Sequence, residues 1–322
     1  MDNLQKLEII KNNTAEIVTE EELEVLIKSK KKPVVYCGYE PSGPMHLGHF
    51  VTITKLMDFA KAGFKVKVLL ADVHALLNRK GDHEKVAKDV EAWTKTIKAI
   101  GLDAEVVLGS DFQFKTDYIS DVISLAQEVT INRGLRSMQE VARDIENATV
   151  SQLWYPLMQI VDIKHLGCDV AYGGLEQRKI HMLGREVFSA IGHKAAIVHT
   201  PLITSLKGPG QKMSKSIQGS GISVTDSDSE ISKAVMDAYC PERIVEDNPL
   251  LQIAKLIVFP RIKSLKIERL KKFGGNIEFD SYETLEKTYN EGKLHPMDLK
   301  SSMSKELIAI ITPIRKNFQM QK

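Results

Sequence analysis

Apolar and polar positions follow two rhythms along the first two thirds of the chain. Short runs rich in β-branched residues read as buried strands; longer stretches with apolar residues three or four apart read as amphipathic helices. Thr19-Glu20-Glu21-Glu22 is a capping box, opening a helix that runs to about Lys28. Pro33–Tyr39 reads as a strand, and a helix follows from about His46 to Ala62 with Gly63 as its stop. Val66–Ala71 is the next strand, Glu84–Ile100 a helix closed by Gly101, and Ala104–Leu108 a third strand. This order predicts an α/β fold: a parallel sheet, helices on both faces, right-handed crossovers. Residues 117–162 read as mainly helical, and Ala195–His199 as one more strand. After Ile222-Ser223-Val224 the pattern changes. Asp226–Glu230 is polar and rich in helix caps, and most of the remaining chain reads as helical, so a domain boundary is expected near Thr225.

Composition narrows the class. The chain has 322 residues, 43% hydrophobic and 27% charged, the balance of a folded protein of one large or two ordinary domains. No apolar run is long enough to cross a bilayer, and the N-terminus lacks a basic start followed by an apolar core. The three cysteines, Cys37, Cys168 and Cys240, are widely spaced. That count argues against a disulfide framework or structural zinc, and a reducing cytoplasm is the expected location. The net charge of +2 does not announce a nucleic-acid binder. Between Lys255 and Lys272, however, seven bases face a single acid, Glu268. Alone, such a run reads as a solvated helix face.

Two constellations carry candidate chemistry. In Tyr36–His49 a strand ends at Glu40, Pro41 to Pro44 form a tight loop, and a helix opens with His46 and His49, three apart and on one side. Gly48 between them allows close approach to the backbone. A helix N-terminus after a parallel strand favours phosphate. Capping or core histidines would have the same spacing; a metal site is weakly supported without nearby carboxylates or thiols. The second constellation is Lys212-Met213-Ser214-Lys215-Ser216, flanked by glycines from Gly208 to Gly221, as suits a loop that must move. Taken alone it reads as a solvated surface loop.

Together they read differently. His46-Leu47-Gly48-His49 resembles the HIGH signature, with Leu47 for the usual Ile, and Lys212–Ser216 matches KMSKS letter for letter. In this order, on this β/α pattern, the chain resembles a class I aminoacyl-tRNA synthetase. Leu69–Ala75, Tyr155–Ile163, Gly173–His181 and His295–Lys300 resemble segments of the archaeal and eukaryotic tyrosyl-tRNA synthetases, over almost the whole chain. Many archaeal members carry a looser KMSSS-like loop. Tyr155, Gln159 and Asp162 lie at i, i+4 and i+7, one polar face of a helix where a core helix would prefer apolar residues. A buried structural network is the competing reading.

The resemblance implies a Rossmann-like catalytic domain over residues 1–225, with a helical insertion at about 112–165 and the KMSKS loop at 207–221, then a mostly helical anticodon-recognition domain over 226–322. It implies that Tyr36 and Asp162 bind the phenol hydroxyl of L-tyrosine while Tyr155, Gln159 and Gln177 hold its ammonium end. Gly38, His46, Gly48, His49, Met213, Ser214 and Lys215 would contact ATP, with His46, His49, Lys212 and Lys215 stabilising the charge of phosphoryl transfer. Mg²⁺ would accompany ATP, held by phosphates and water rather than by a dedicated protein site. Arg136 and Arg178 would lie near the acceptor end of tRNA(Tyr), and Phe273 and Asp298 would read the anticodon. For those two, an ordinary core phenylalanine and a helix-cap aspartate are the plainer readings of the residues themselves. A homodimer is implied, formed through the helical insertion. The rivals are a tryptophanyl-tRNA synthetase, a non-catalytic RNA-binding paralogue and a small-molecule adenylyltransferase. A donor and an acceptor offered by Tyr36 and Asp162 suit a hydroxyl better than an indole N–H.

Overall fold

The computed structural model describes residues 1–141, 147–210, 213 and 219–320. They divide into two compact units. The first comprises Met1–Gly43, Lys55–Thr94 and Leu102–Pro201; the second comprises Pro44–Thr54, Lys95–Gly101 and the chain from Leu202 onward.

The first unit is built on six strands: β1 (Glu16–Val18), β2 (Val34–Tyr39), β3 (Lys65–Leu70), β4 (Glu105–Leu108), β5 (Val170–Gly174) and β6 (Ala196–Thr200). Their order is β1-β6-β5-β2-β3-β4. The strands expected from the sequence stand within one residue of their predicted ends. Two strands are not foreseen by the pattern. β1 pairs antiparallel with β6, so the sheet is mixed at one edge. β5 lies at the centre, parallel to both β2 and β6. Its Val-Ala-Tyr-Gly-Gly run lacks the β-branched signal of a strand, yet every residue in it is buried. The chain runs outward from β2 through β3 to β4 and then returns to β5 on the other side of β2. Connections therefore reverse direction between β2 and β5, and such reversals in a parallel sheet are where ligands bind.

Helices α1 (Asn3–Lys11), α2 (Glu20–Ser29), α3 (Leu47–Lys61), α4 (Asp72–Leu77), α5 (His83–Ile100), α6 (Thr116–Glu128), α7 (Ile131–Met138), α8 (Val150–His165) and α9 (Arg178–Val187) complete the first two thirds. The Thr19 capping box forms as predicted. Gly63 and Gly101, after α3 and α5, take positive φ values of 89° and 78°, which suit residues without a Cβ. Lys55 is buried on α3. Its ammonium pairs with Asp58 at 3.0 Å and donates to the carbonyls of Ile9 and Asn12 at the end of α1. A buried cation thus caps the negative end of that helix. The segment read as mainly helical holds α6, α7 and α8, with α6 and α7 packed on α8.

In the second unit, α10 (Asp228–Met236) starts at a Ser227–Glu230 capping box. It is followed by α11 (Pro249–Ile253), α12 (Tyr282–Asn290) and the long α13 (Pro296–Met320). Leu299, Met303, Leu307, Ile311 and Ile314 form the buried stripe of α13, which packs on α10. A two-stranded antiparallel sheet, β7 (Leu265–Ile267) with β8 (Ile277–Phe279), interrupts this helical region. Strands of three residues, each with a central charge facing water, leave too short a pattern to read in the sequence.

Candidate active site

α8 crosses the first unit's core with Tyr155, Gln159 and Asp162 on one face, as their spacing predicts. Asp162 is fully buried. Its Oδ1 accepts from the Tyr118 hydroxyl at 2.8 Å and from Gln113 Nε2 at 2.8 Å. Among the described residues, its Oδ2 is buried with no hydrogen-bond partner. Burial pushes the carboxyl up to about 7, partly offset by those two donors. His74 Nε2 stands 3.7 Å from Oδ2. Burial holds His74 down at about 4, so at neutral pH this approach is not an ion pair. Tyr36, on β2, is buried; burial first and the Asp162 charge second raise its hydroxyl well above the ordinary value. Tyr36, Asp162 and Tyr118 meet in this part of the core, Tyr36 and Tyr118 within one buried cluster with the helix that carries Asp162. Tyr118 carries no signal in the sequence that marks it as polar lining. For Gln113 the sequence leaves open backing a ring or packing, and for His74 lining the site or core.

The second half of the constellation lies on the same helix. The Tyr155 hydroxyl donates to Glu40 Oε1 at 2.6 Å. Asn78 Nδ2 donates to both Glu40 oxygens, at 3.1 and 3.2 Å, and the Lys80 ammonium lies 3.5 Å away. Since the one O–H of Tyr155 is already committed as a donor, its lone pairs remain to accept. Gln159 Nε2 donates to Gln177 Oε1 at 3.1 Å and stands 3.5 Å from His181 Nε2. The structure therefore brings together Tyr36, Tyr155, Gln159, Asp162 and Gln177 through direct or shared contacts. Glu40 is legible in the sequence only as the end of its strand. Gly38, on β2, is exposed although the strand around it is buried, so backbone is open to a ligand there.

The His46–His49 segment belongs to the second unit. Leu47 N–H donates to the Ile222 carbonyl and Val224 N–H to that of Met45, which ties the segment to residues 222–224. His49 Nδ1 accepts from the His46 backbone N–H at 3.1 Å, and His46 Nδ1 accepts from Gly48 N–H at 3.1 Å. An Nδ1 that accepts carries no proton, so each neutral ring holds its proton on Nε2 and is a donor there. Burial keeps His49 well below its ordinary value, hence uncharged. The rings lie close but tilted by 39°, with centroids 3.9 Å apart. Such a pair suits phosphate oxygens.

Met213 is buried against Gly221, where a Cβ would stand 2.5 Å from its Cγ. Lys212, Ser214 and Lys215 lie outside the described residues. Arg136 is on α7, where Asn132, Leu135, Arg136 and Gln139 line a cavity of about 410 Å³. Arg178 opens α9, its Nε donating to Glu16 at 2.6 Å. Phe273 is 59% exposed, which excludes the core reading. The loop beneath it is clamped by Arg269, whose side chain donates to the carbonyls of Gly275 and Lys293. Asp298 is in the first turn of α13, where a carboxylate also favours the helix dipole. Among the described residues no three of His, Cys, Asp and Glu are grouped as metal ligands, and no helix is long and apolar enough to cross a membrane.

Comparison with known proteins shows the family. The family described as tRNA synthetases class I (W and Y) matches residues 28–312. The tyrosine–tRNA ligase of Archaeoglobus fulgidus is 48% identical over 98% of this chain and 98% of its own length. That of Methanoculleus marisnigri is 50% identical over 95% of this chain and 96% of its own. The crystal structure of tyrosyl-tRNA synthetase complexed with L-tyrosine from Archaeoglobus fulgidus superposes with a TM-score of 0.95, covering 98% of this chain and 100% of that one. The chain belongs to the class I tRNA synthetases of the tryptophan and tyrosine group, and within it to the tyrosine–tRNA ligases.

Proposed function

We propose that this chain activates L-tyrosine with ATP and transfers it to the terminal adenosine of tRNA(Tyr). The observation that carries the choice of amino acid is Asp162 Oδ2, a buried acceptor with no partner among the described residues. A desolvated lone acceptor is costly unless a substrate donor meets it. A phenol hydroxyl supplies that donor and accepts in turn from Tyr36. Phenylalanine leaves both groups stranded. Tyrosyl-tRNA synthetases are themselves the standard worked case of this discrimination, which there reaches about 10⁵. Tyr155, through its lone pairs, Gln159 and Gln177 hold the ammonium end.

In the first step the tyrosine carboxylate attacks the α-phosphorus of ATP. A C–O–P bond forms, the bond to the β-phosphate oxygen breaks, and pyrophosphate leaves. A carboxylate nucleophile needs no general base, so alignment and charge stabilisation are the enzyme's tasks. His46 and His49 donate from Nε2 to phosphate oxygens, Gly38 and Gly48 let the nucleotide approach the backbone, and the Lys212–Ser216 loop neutralises the departing pyrophosphate. Mg²⁺ enters with ATP on its phosphates. In the second step the terminal adenosine hydroxyl attacks the adenylate carbonyl and releases AMP.

Arg136 and Arg178 guide the acceptor end, while Phe273 stacks on and Asp298 reads an anticodon base within residues 226–322. Exposed Lys263, Lys266, Lys271 and Lys272 offer phosphate contacts beside them in sequence. A homodimer is supported by exposed Ile123, Ile131 and Trp154 on the helical insertion; a single-chain mass in sedimentation would contradict it. A cytoplasmic location follows from the same role.

The test is ATP–pyrophosphate exchange with tyrosine, tryptophan and phenylalanine. Tyrosine alone should support it well. Asp162→Ala should erode the preference for tyrosine over phenylalanine by about 1.5–3 kcal/mol, the worth of a charged hydrogen bond. Equal loss with both amino acids would mark Asp162 as structural.

A further inference from the structure

Behind Gln159 the buried polar chain continues. His181, on α9, turns its Nε2 to Gln159 and its Nδ1 to His199 Nε2 on β6, at 3.0 Å, with the two rings stacked 19° from parallel. Both are buried. Gly173 leaves room for this arrangement: a Cβ there would stand 3.0 Å from Gln177 Cγ and 3.5 Å from His181 Cε1. Two buried histidines sharing one hydrogen bond have no need to be there for packing alone, and His199 Nδ1 ends the chain without a partner among the described residues.

The substrate's ammonium group brings only donors, so every group that meets it must accept. Tyr155 is prepared because its hydroxyl already donates its single O–H to Glu40. An amide is different, because it is turned to either face at equal cost unless something fixes it. Gln159 presents its oxygen to the substrate only when its NH₂ is held behind. Gln177 Oε1 takes one N–H, and His181 Nε2 takes the other only as a bare lone pair. That requires the His181 proton on Nδ1, donated to His199 Nε2.

We propose that His181 and His199 form a tautomer relay that holds the Gln159 amide oxygen toward the substrate ammonium group. They are positioning residues; neither touches the reacting atoms. The relay requires both rings neutral, and burial holds His181 down at about 3 and His199 at about 4. Neutral rings also avoid a positive charge behind an ammonium site. The inference rests on the proposed role of Gln159 in holding that group.

The test compares tyrosine with 3-(4-hydroxyphenyl)propionate, which lacks the amino group, by equilibrium binding, together with ATP–pyrophosphate exchange. His181→Phe removes the acceptor. It should raise KM for tyrosine roughly tenfold, with kcat within about twofold and KM for ATP unchanged, and it should leave affinity for the des-amino analogue as in wild type. His181→Gln, which restores an acceptor near the Nε2 position, should recover most of the loss. His199→Phe leaves His181 in place but unpinned, and should show the same pattern more weakly; it also serves if His181→Phe does not fold. Equal weakening of both ligands, a parallel loss of kcat, or no recovery by His181→Gln overturns the relay. The outcomes separate it from the reading beneath. If Gln159→Ala weakens tyrosine selectively and neither His181→Phe nor His199→Phe does, the relay alone fails. If Gln159→Ala also spares tyrosine binding, the assignment of the ammonium end fails first.

Discussion

Asp162 shows how one residue serves two demands. Its carboxyl is pushed up to about 7, chiefly by burial. The folded state therefore holds a proton that the unfolded chain releases near its ordinary value of 3.8. Between about pH 4 and 7 the folded form binds more protons than the unfolded one, so this group's contribution to stability falls as pH rises through that window. The proposed recognition of tyrosine runs the other way, because the charged carboxylate is the better acceptor for a phenol. We expect kcat/KM for tyrosine to rise through about pH 7 and then level, with no such rise from this group for phenylalanine. Asp162→Asn should abolish the rise and flatten the stability slope between about pH 4 and 7. A tyrosine profile unchanged in that variant would place the titration elsewhere.

At the scale of the element, the first turn of α3 carries the proposed phosphate contacts. Gly48 gives its N–H to His46 Nδ1, and a Cβ at Gly48 would stand 2.9 Å from His46 Cε1 and 3.0 Å from Nδ1. Gly48→Ala thus expels the ring from the position that fixes its tautomer. Helix propensity alone favours alanine over glycine by about 0.5–1 kcal/mol. The variant should keep or slightly raise its melting temperature while adenylate formation slows by roughly 10²-fold, the cost of one oriented donor. Activity unchanged by Gly48→Ala would remove His46 from the phosphate contacts. The sequence made this element readable because its periodicity, its Gly63 stop and its two histidines are local. It did not reveal that both Nδ1 atoms are occupied by backbone N–H groups, which is a property of the folded turn.

For the molecule as a whole, the proposed division of labour rests on separate sets of contacts. Asp298 sits on α13, which packs on α10 and β7, whereas Asp162 sits on α8 among α4, α6 and α7. Asp298→Ala should therefore leave tyrosine-dependent ATP–pyrophosphate exchange nearly untouched and raise KM for tRNA. A contact to one base edge is worth about 1–3 kcal/mol, and the loss should vanish with a transcript already altered at the first anticodon position. A loss equal on both transcripts would show that Asp298 does not read that base.

By itself the sequence determined what is written in neighbouring residues. The capping box at Thr19, the cap-rich stretch Asp226–Glu230, strand runs such as Val66–Ala71, the polar face Tyr155-Gln159-Asp162 and the two signature segments all depend on spacings of a turn or two. Only the tertiary structure decided what depends on residues far apart in the chain. It inserted Val170–Gly174 between β2 and β6, a position set by burial on both faces rather than by propensity. It set Tyr118 and Gln113 on one oxygen of Asp162 and left the other bare. It joined Glu40 to Tyr155 across 115 positions, and His181 to His199 behind Gln159. Such partners carry no signal of their own in the sequence, because a hydrogen bond needs only two groups brought within about 3 Å, and many folds could do that with the same residues.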